Sequence, residues 1–112
     1  MARKPVSIRQ KRVAERILEI LSEALQTAVD DPRLSMVNVV EVRVDRELEF
    51  AQVWVNSAVA DDTERQSIMR GLRAASGFLR HVLAQQLTIF KVQKLLFTWY
   101  DTFSYTHLTL PT

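Results

Sequence analysis

Residues 68 to 83 carry two conflicting instructions. Ile68, Leu72 and Ala75, then Leu79, Val82 and Leu83, keep the i, i+3, i+4, i+7 spacing of a helix that buries one face. Between them stand Ser76 and Gly77. Glycine costs about 1 kcal/mol in a helix interior relative to alanine, and serine competes for backbone hydrogen bonds. The spacing therefore predicts two helices meeting at a small-residue junction or kink, one from near residue 62 to Ser76-Gly77 and one from Phe78 to about Leu87. Any fold for this chain must cover both halves of that stripe while leaving the junction accessible to a close-approaching backbone.

The rest of the chain supplies the cover. Pro5 biases Lys4 away from helix, and Ser7 followed by Gln10 forms a capping box, so a first helix starts there. Val13, Ile17, Ile20, Leu21, Ala24, Leu25 and Ala28 form its buried stripe, and Asp31-Pro32 is expected to end it. Two aspartates oppose the dipole of a helix C-terminus, so Asp30 and Asp31 need another task. Asp31 can accept from the amide of Arg33 or Leu34 in an Asx-turn, whereas a catalytic or metal role would need further ligands. Val37 to Val44 alternates as a strand with Val40, Val42 and Val44 inward. Asp45-Arg46-Glu47 is a turn, and Leu48 to Asn56 is a second strand with Ala51, Val53 and Val55 on one face. Trp54 then falls on the open face, where it can stack a base or a partner, or cover the stems of its cross-strand neighbours. Asp61 and Glu64 are spaced as N-cap and N3 of the next helix, and Leu95 to Tyr100 is the last strand. A crossover through the helical segment makes this strand parallel to the second. The expected architecture is α+β, in the order α-β-β-α-α-β, with helices on one face of a three-stranded mixed sheet.

At 112 residues the chain holds one core. It has no cysteine, which removes disulfides and thiolate chemistry, and no apolar run long enough to span a membrane. The expected location is the cytoplasm. Net charge is only +2, but its distribution is uneven. Arg3, Lys4, Arg9, Lys11, Arg12 and Arg16 face only Glu15 in the first sixteen residues. Arg65, Arg70, Arg73, Arg80, Lys91 and Lys94 form a second basic series. Such a positive face on a near-neutral molecule suits a phosphate backbone, although solvated helix faces also look this way. No Ser/His/Asp, metal-ligand or phosphate-loop constellation is present, so no catalytic residue, metal or cofactor is expected, and His81 reads as a surface residue.

The element order resembles the type II arrangement of the KH fold, in which a G-x-x-G loop between two helices approaches RNA phosphates. That loop motif is missing here. Ala75-Ser76-Gly77 instead resembles the A-x-G interhelical kink of the bacterial ribosome-binding factor A family. Arg12-Val13-Ala14-Glu15, Asp31-Pro32-Arg33-Leu34, Asp45-Arg46-Glu47-Leu48, Ala51-Gln52-Val53-Trp54-Val55, the continuation Phe78-Leu79-Arg80 and Leu95-Leu96-Phe97 are similar to that family in order and spacing over residues 9 to 101. Gln93 stands where the family usually has proline. The uncharged end from Ser104 to Thr112 matches nothing expected of it, so residues 1–101 read as one KH-like domain and 102–112 as an atypical end without assigned function.

The resemblance implies a non-catalytic assembly factor that binds the immature small ribosomal subunit and its rRNA and promotes late maturation and rRNA processing. A monomer without membrane attachment is expected. The residues expected to meet RNA are Arg9, Lys11, Arg12, Arg16, Arg73, Ser76, Gly77, Arg80, Lys91 and Lys94. A start of a third helix at Ser76-Gly77-Phe78 would add backbone donors for phosphate. Lacking G-x-x-G, the chain is expected to recognise shape and charge rather than grip a single strand. The competing expectation is a protein-interaction module or homodimer built on the open sheet face around Trp54.

Overall fold

A computed structural model describes residues 6–58, 61–87 and 92–100. Helix α1 spans Ile8–Thr27 and opens with the expected capping box: the Gln10 amide donates to Ser7 Oγ at 3.0 Å and the Ser7 amide donates to Gln10 Oε1 at 3.1 Å. A cap of this kind stabilises a helix by about 1 kcal/mol. Val13, Ile17, Ile20, Leu21, Ala24 and Leu25 are buried along it. Ala28, expected to join them, is instead the exposed C-cap. The helix stops at Thr27, four residues before Asp31, where the amides of Ala28 and Val29 both close on the Ala24 carbonyl, at 2.9 and 3.0 Å. That turn brings half-buried Val29 against the core in place of Ala28.

Asp31 anchors the chain as it leaves α1. Its Oδ1 accepts from the Arg33 amide at 3.1 Å, the Asx-turn expected from the sequence, and also from Arg33 Nε at 3.1 Å. Its Oδ2 accepts from Arg33 Nη2 at 2.8 Å. A 3-10 turn, Leu34–Met36, follows and buries Leu34 completely.

Strands β1 (Asn38–Val44) and β2 (Phe50–Asn56) form the antiparallel hairpin, and β3 (Lys94–Trp99) lies parallel to β2, giving the order β1-β2-β3. Ala51, Val53 and Val55 point under the helices and are 0% exposed. Val40 does not share their face and is 38% exposed. Val39 pairs with Val55 and Glu41 with Trp54, so Val40 is the extra residue of a bulge. The alternation slips by one there, and half-buried Val39 packs on the core instead. The second strand also starts later than Leu48. Asp45 Oδ1 accepts from the amides of Glu49 at 2.7 Å and Phe50 at 2.9 Å, which holds the turn closed. Leu48 takes a left-handed φ of 62° with its side chain buried. The open face carries Glu41, Arg43, Phe50, Gln52, Trp54, Leu96 and Thr98. The Arg43 guanidinium lies over the Trp54 ring at 5.8 Å and pairs with Glu41 at 2.7 Å, so a diagonal cross-strand neighbour covers Trp54.

The largest departure from expectation concerns the break in the helical segment. Helix α2 runs continuously from Asp62 to Gln86, with Ser76 and Gly77 inside it, where two helices were expected. Its N-terminus is capped by Asp61 and Glu64 as the spacing predicted, at 2.8 and 3.1 Å. Continuity follows from the energetics. Ile68, Gly71, Leu72, Leu79 and Leu83 are buried along one stripe. Full burial of a leucine contributes about 1.5 to 3 kcal/mol. Keeping Leu79 and Leu83 in phase with Leu72 thus outweighs the glycine penalty of about 1 kcal/mol. The result is the α+β, type II KH-like arrangement, with α1 and α2 on one face of the mixed sheet.

Candidate nucleic-acid interface

The basic residues fall on elements whose positions are set by a few tertiary bonds. On α1, Arg9, Arg12 and Arg16 follow i, i+3, i+7 spacing, opposite the apolar stripe. Arg16 donates to Glu19 at 3.1 Å and from Nη2 to Gln86 Oε1 at 3.3 Å, which brings this stripe to the C-terminal end of α2. On α2, Arg73, Gly77 and Arg80 are four and three residues apart and share one exposed face. Arg80 Nη1 donates to the Gln93 carbonyl at 3.0 Å, so this face ends against the entry to β3, beside Lys94. Lys91 lies outside the described residues. The structure therefore links Arg16 to the end of α2 and Arg80 to the start of β3, while Arg73 extends without a hydrogen-bond or ion-pair partner among the described residues. The side chains of Lys11, Arg12 and Lys94 are likewise exposed and without such a partner among the described residues.

Ser76 and Gly77 take a different role from the one expected. Inside a continuous helix their amides belong to the intrahelical ladder, so no helix start presents donors to phosphate at this point. What remains is shape. A Cβ built on Gly77 would meet nothing within 4 Å among the described residues, so the glycine leaves a notch between Arg73 and Arg80 that no contact with them requires. Ser76 is half-buried at the edge of the same face.

Gly71 is the contrasting case. A Cβ there would lie 3.3 Å from Arg33 Nη2, 3.3 Å from Leu34 Cδ2 and 3.4 Å from Asp31 Oδ2. The Arg33 guanidinium, already held by Asp31, reaches across to Ser67 one turn earlier on α2, with Nη1 at 2.6 Å from Oγ. These hydrogen bonds hold the Asp31 carboxyl below its ordinary value, with partial desolvation opposing them, and raise Arg33. The knot ties α2 to the loop after α1, while the buried stripe of Ile68, Leu72, Leu79 and Leu83 turns the arginines of α2 outward.

One feature of that face was not legible from spacing alone. Arg65, Gln66, Met69, Arg70 and Arg73 of α2 meet Trp99 at the end of β3 around a shallow recess of about 400 Å³. Trp99 alternates with Leu95 and Phe97, which already placed it on the helix-facing side of the sheet. Only the crossing of α2 over β3 sets it beside the arginines. Among the described residues, no group of three or more His, Asp or Glu side chains could hold a metal ion, and no helix is long and apolar enough to cross a membrane.

Comparison with known proteins identifies the family. Residues 9–108 match the family described as ribosome-binding factor A. The ribosome-binding factor A of Thiobacillus denitrificans is 37% identical over 91 residues, which is 81% of this chain and 73% of that protein. The crystal structure of ribosome-binding factor A from Thermus thermophilus superposes with a TM-score of 0.69 at 24% identity, covering 80% of this chain and 93% of that one. Coordinates of the Thermus thermophilus factor fitted into a cryo-EM map of its 30S complex give a TM-score of 0.63 at 24% identity, covering 77% and 89%. With the helices, the mixed sheet and their order in agreement, the chain belongs to the ribosome-binding factor A family.

Proposed function

We propose that this protein binds the immature small ribosomal subunit in the cytoplasm as a monomer, contacts its rRNA, and promotes late maturation and rRNA processing without catalysing a reaction. The observation that carries this reading is the notch at Gly77 between Arg73 and Arg80. It is an exposed gap beside a guanidinium that has no partner among the described residues, and none of those residues packs against it. The fitted 30S complex of the Thermus thermophilus factor supports the choice of subunit.

The mechanism needs only charge and shape. A phosphate backbone approaching α2 meets Arg73, the notch and then Arg80 along one helix face, with Arg9, Lys11, Arg12 and Arg16 on α1 extending the positive surface toward the end of α2. Lys94 adds charge at the entry to β3; Lys91, expected from the sequence to meet RNA as well, lies outside the described residues. Ser76 offers a hydroxyl at the margin. Neutralising several phosphates releases counterions, so affinity should fall steeply with salt.

Co-sedimentation with immature and mature small subunits tests the proposal. Preferential binding to immature particles that weakens between low and moderate salt is expected. Arg73→Glu should weaken it further without affecting the fold, because Arg73 holds no internal bond among the described residues. Arg80→Glu adds to this but also removes the bond to Gln93, so its unfolding curve must accompany the binding data. Undiminished binding by the double variant would remove this face from the site.

A further inference from the structure

The recess between α2 and the end of β3 lies beside the proposed RNA-binding face and has a different character. Arg70 and Arg73 are exposed, three residues apart on α2, and neither has an ion-pair or hydrogen-bond partner among the described residues. Arg65 is engaged by Asp62 at 2.9 Å. Like charges at this helical spacing repel by a few tenths of a kcal/mol, so the arrangement does not serve helix stability. Between the arginines and the sheet lie Met69 and Trp99, both half-buried and packed on the core. The volume of about 400 Å³ falls in the range of small-ligand sites, roughly 300 to 1,000 Å³.

We infer that this recess takes one unstacked nucleotide of single-stranded RNA, its base against Trp99 and Met69 and its flanking phosphates on Arg70 and Arg73. The two unpartnered guanidinium groups on the rim suit phosphate and carboxylate oxygens alike. Two further features favour RNA over an acidic protein segment. An aromatic ring at the base of a cationic rim offers a stacking surface that carboxylates do not use. The recess adjoins the phosphate-binding face through Arg73, so a strand crossing that face can place its next nucleotide here. The inference rests on the RNA-binding reading above and goes beyond it, because it assigns to a chain without G-x-x-G a place to hold an unpaired base.

The test uses the two tryptophans as separate reporters. In a Trp54→Phe background the remaining tryptophan is Trp99, and its fluorescence is titrated with hexariboadenylate, with inorganic phosphate and with a polyglutamate peptide of matched charge. Saturable quenching by the hexanucleotide alone is expected. Arg70→Ala with Arg73→Ala, both surface changes, should weaken it by at least about tenfold and lower the log–log salt slope by about 0.7 for each lost phosphate contact. Trp99→Leu, read in the Trp54-containing protein by anisotropy of a labelled hexanucleotide, should also weaken binding by at least about fivefold if a stacked base is lost. Equal binding of polyglutamate, or quenching unchanged in the double arginine variant, overturns the assignment. The same proteins are carried through small-subunit co-sedimentation. Retained subunit binding without hexanucleotide quenching refutes the recess and leaves the wider function standing; loss of both in the parent protein refutes both.

Discussion

The two glycines of this chain do opposite things, and each makes a prediction. Gly77 faces open space, so Gly77→Ala should raise stability by about 1 kcal/mol in urea unfolding through helix propensity alone. The same variant should bind small subunits less well, since a methyl group fills the notch. A stabilised variant with unimpaired binding would leave the notch without a role. Gly71 is wedged against Arg33 and Leu34, neither of which can give way easily: Arg33 is tied to Asp31 and Ser67, and Leu34 is fully buried. Gly71→Ala should therefore lose about 1 to 3 kcal/mol from overpacking, less the propensity gain. Asp31 adds a pH dependence. Its folded value is depressed below 3.8, so its stabilising contribution is complete above that value and is lost as pH falls through the folded one. Urea midpoints measured from neutral pH down through the acid range should fall less steeply for Asp31→Asn than for the parent. A parallel fall would show that the Arg33 contact carries no linkage.

Among the elements, the hairpin is held by side chains as much as by its ladder. Asp45 closes the turn by accepting two backbone amides, while Leu48 sits in the left-handed region that leucine rarely adopts. Burial of the Leu48 side chain offsets that strain, which is of the order of 1 to 2 kcal/mol. Asp45→Ala leaves the Glu49 and Phe50 amides without that acceptor and should cost about 1 to 3 kcal/mol, read as a lowered urea midpoint. An unchanged midpoint would mean that water replaces the carboxylate at no cost. The long helix makes the complementary point. Its local signals favoured two helices meeting at Ser76-Gly77, yet its apolar stripe runs in phase across that point and the segment is one helix.

For the whole molecule, the asymmetry between its two faces matters most. One sheet face is sealed by α1 and α2, and the other exposes Phe50 at 48% and Leu96 at 45% around the Arg43-covered Trp54. A monomer must tolerate that surface, and Glu41, Arg43 and Thr98 interrupt it. Sedimentation equilibrium should give a monomer mass at micromolar concentration, and a salt-independent dimer would favour the sheet face as an interface instead.

Legibility followed locality. Capping residues, the Asx-turn at Asp31 and the inward Ala51, Val53 and Val55 follow from spacing over a few residues, because caps, turns and strand alternation are local geometries. The parallel pairing of β3 with β2 follows instead from the helical connection between them. The family also was legible, since its motifs keep their order along the chain. Four features depended on distant partners: the slip at Val40, fixed by pairing with β2; the unbroken α2, held in phase by core burial on both sides of Gly77; the need for Gly71, imposed by Arg33 from the α1–β1 connection; and the recess that joins Arg70 and Arg73 to Trp99. The sequence alone determined where both helices are capped and which residues of the second strand turn inward, because capping and side-chain period are properties of neighbours. Only the tertiary structure decided which charges share a face and which small residue is a gap or a contact, because those depend on how α2 is rotated against the loop and the sheet.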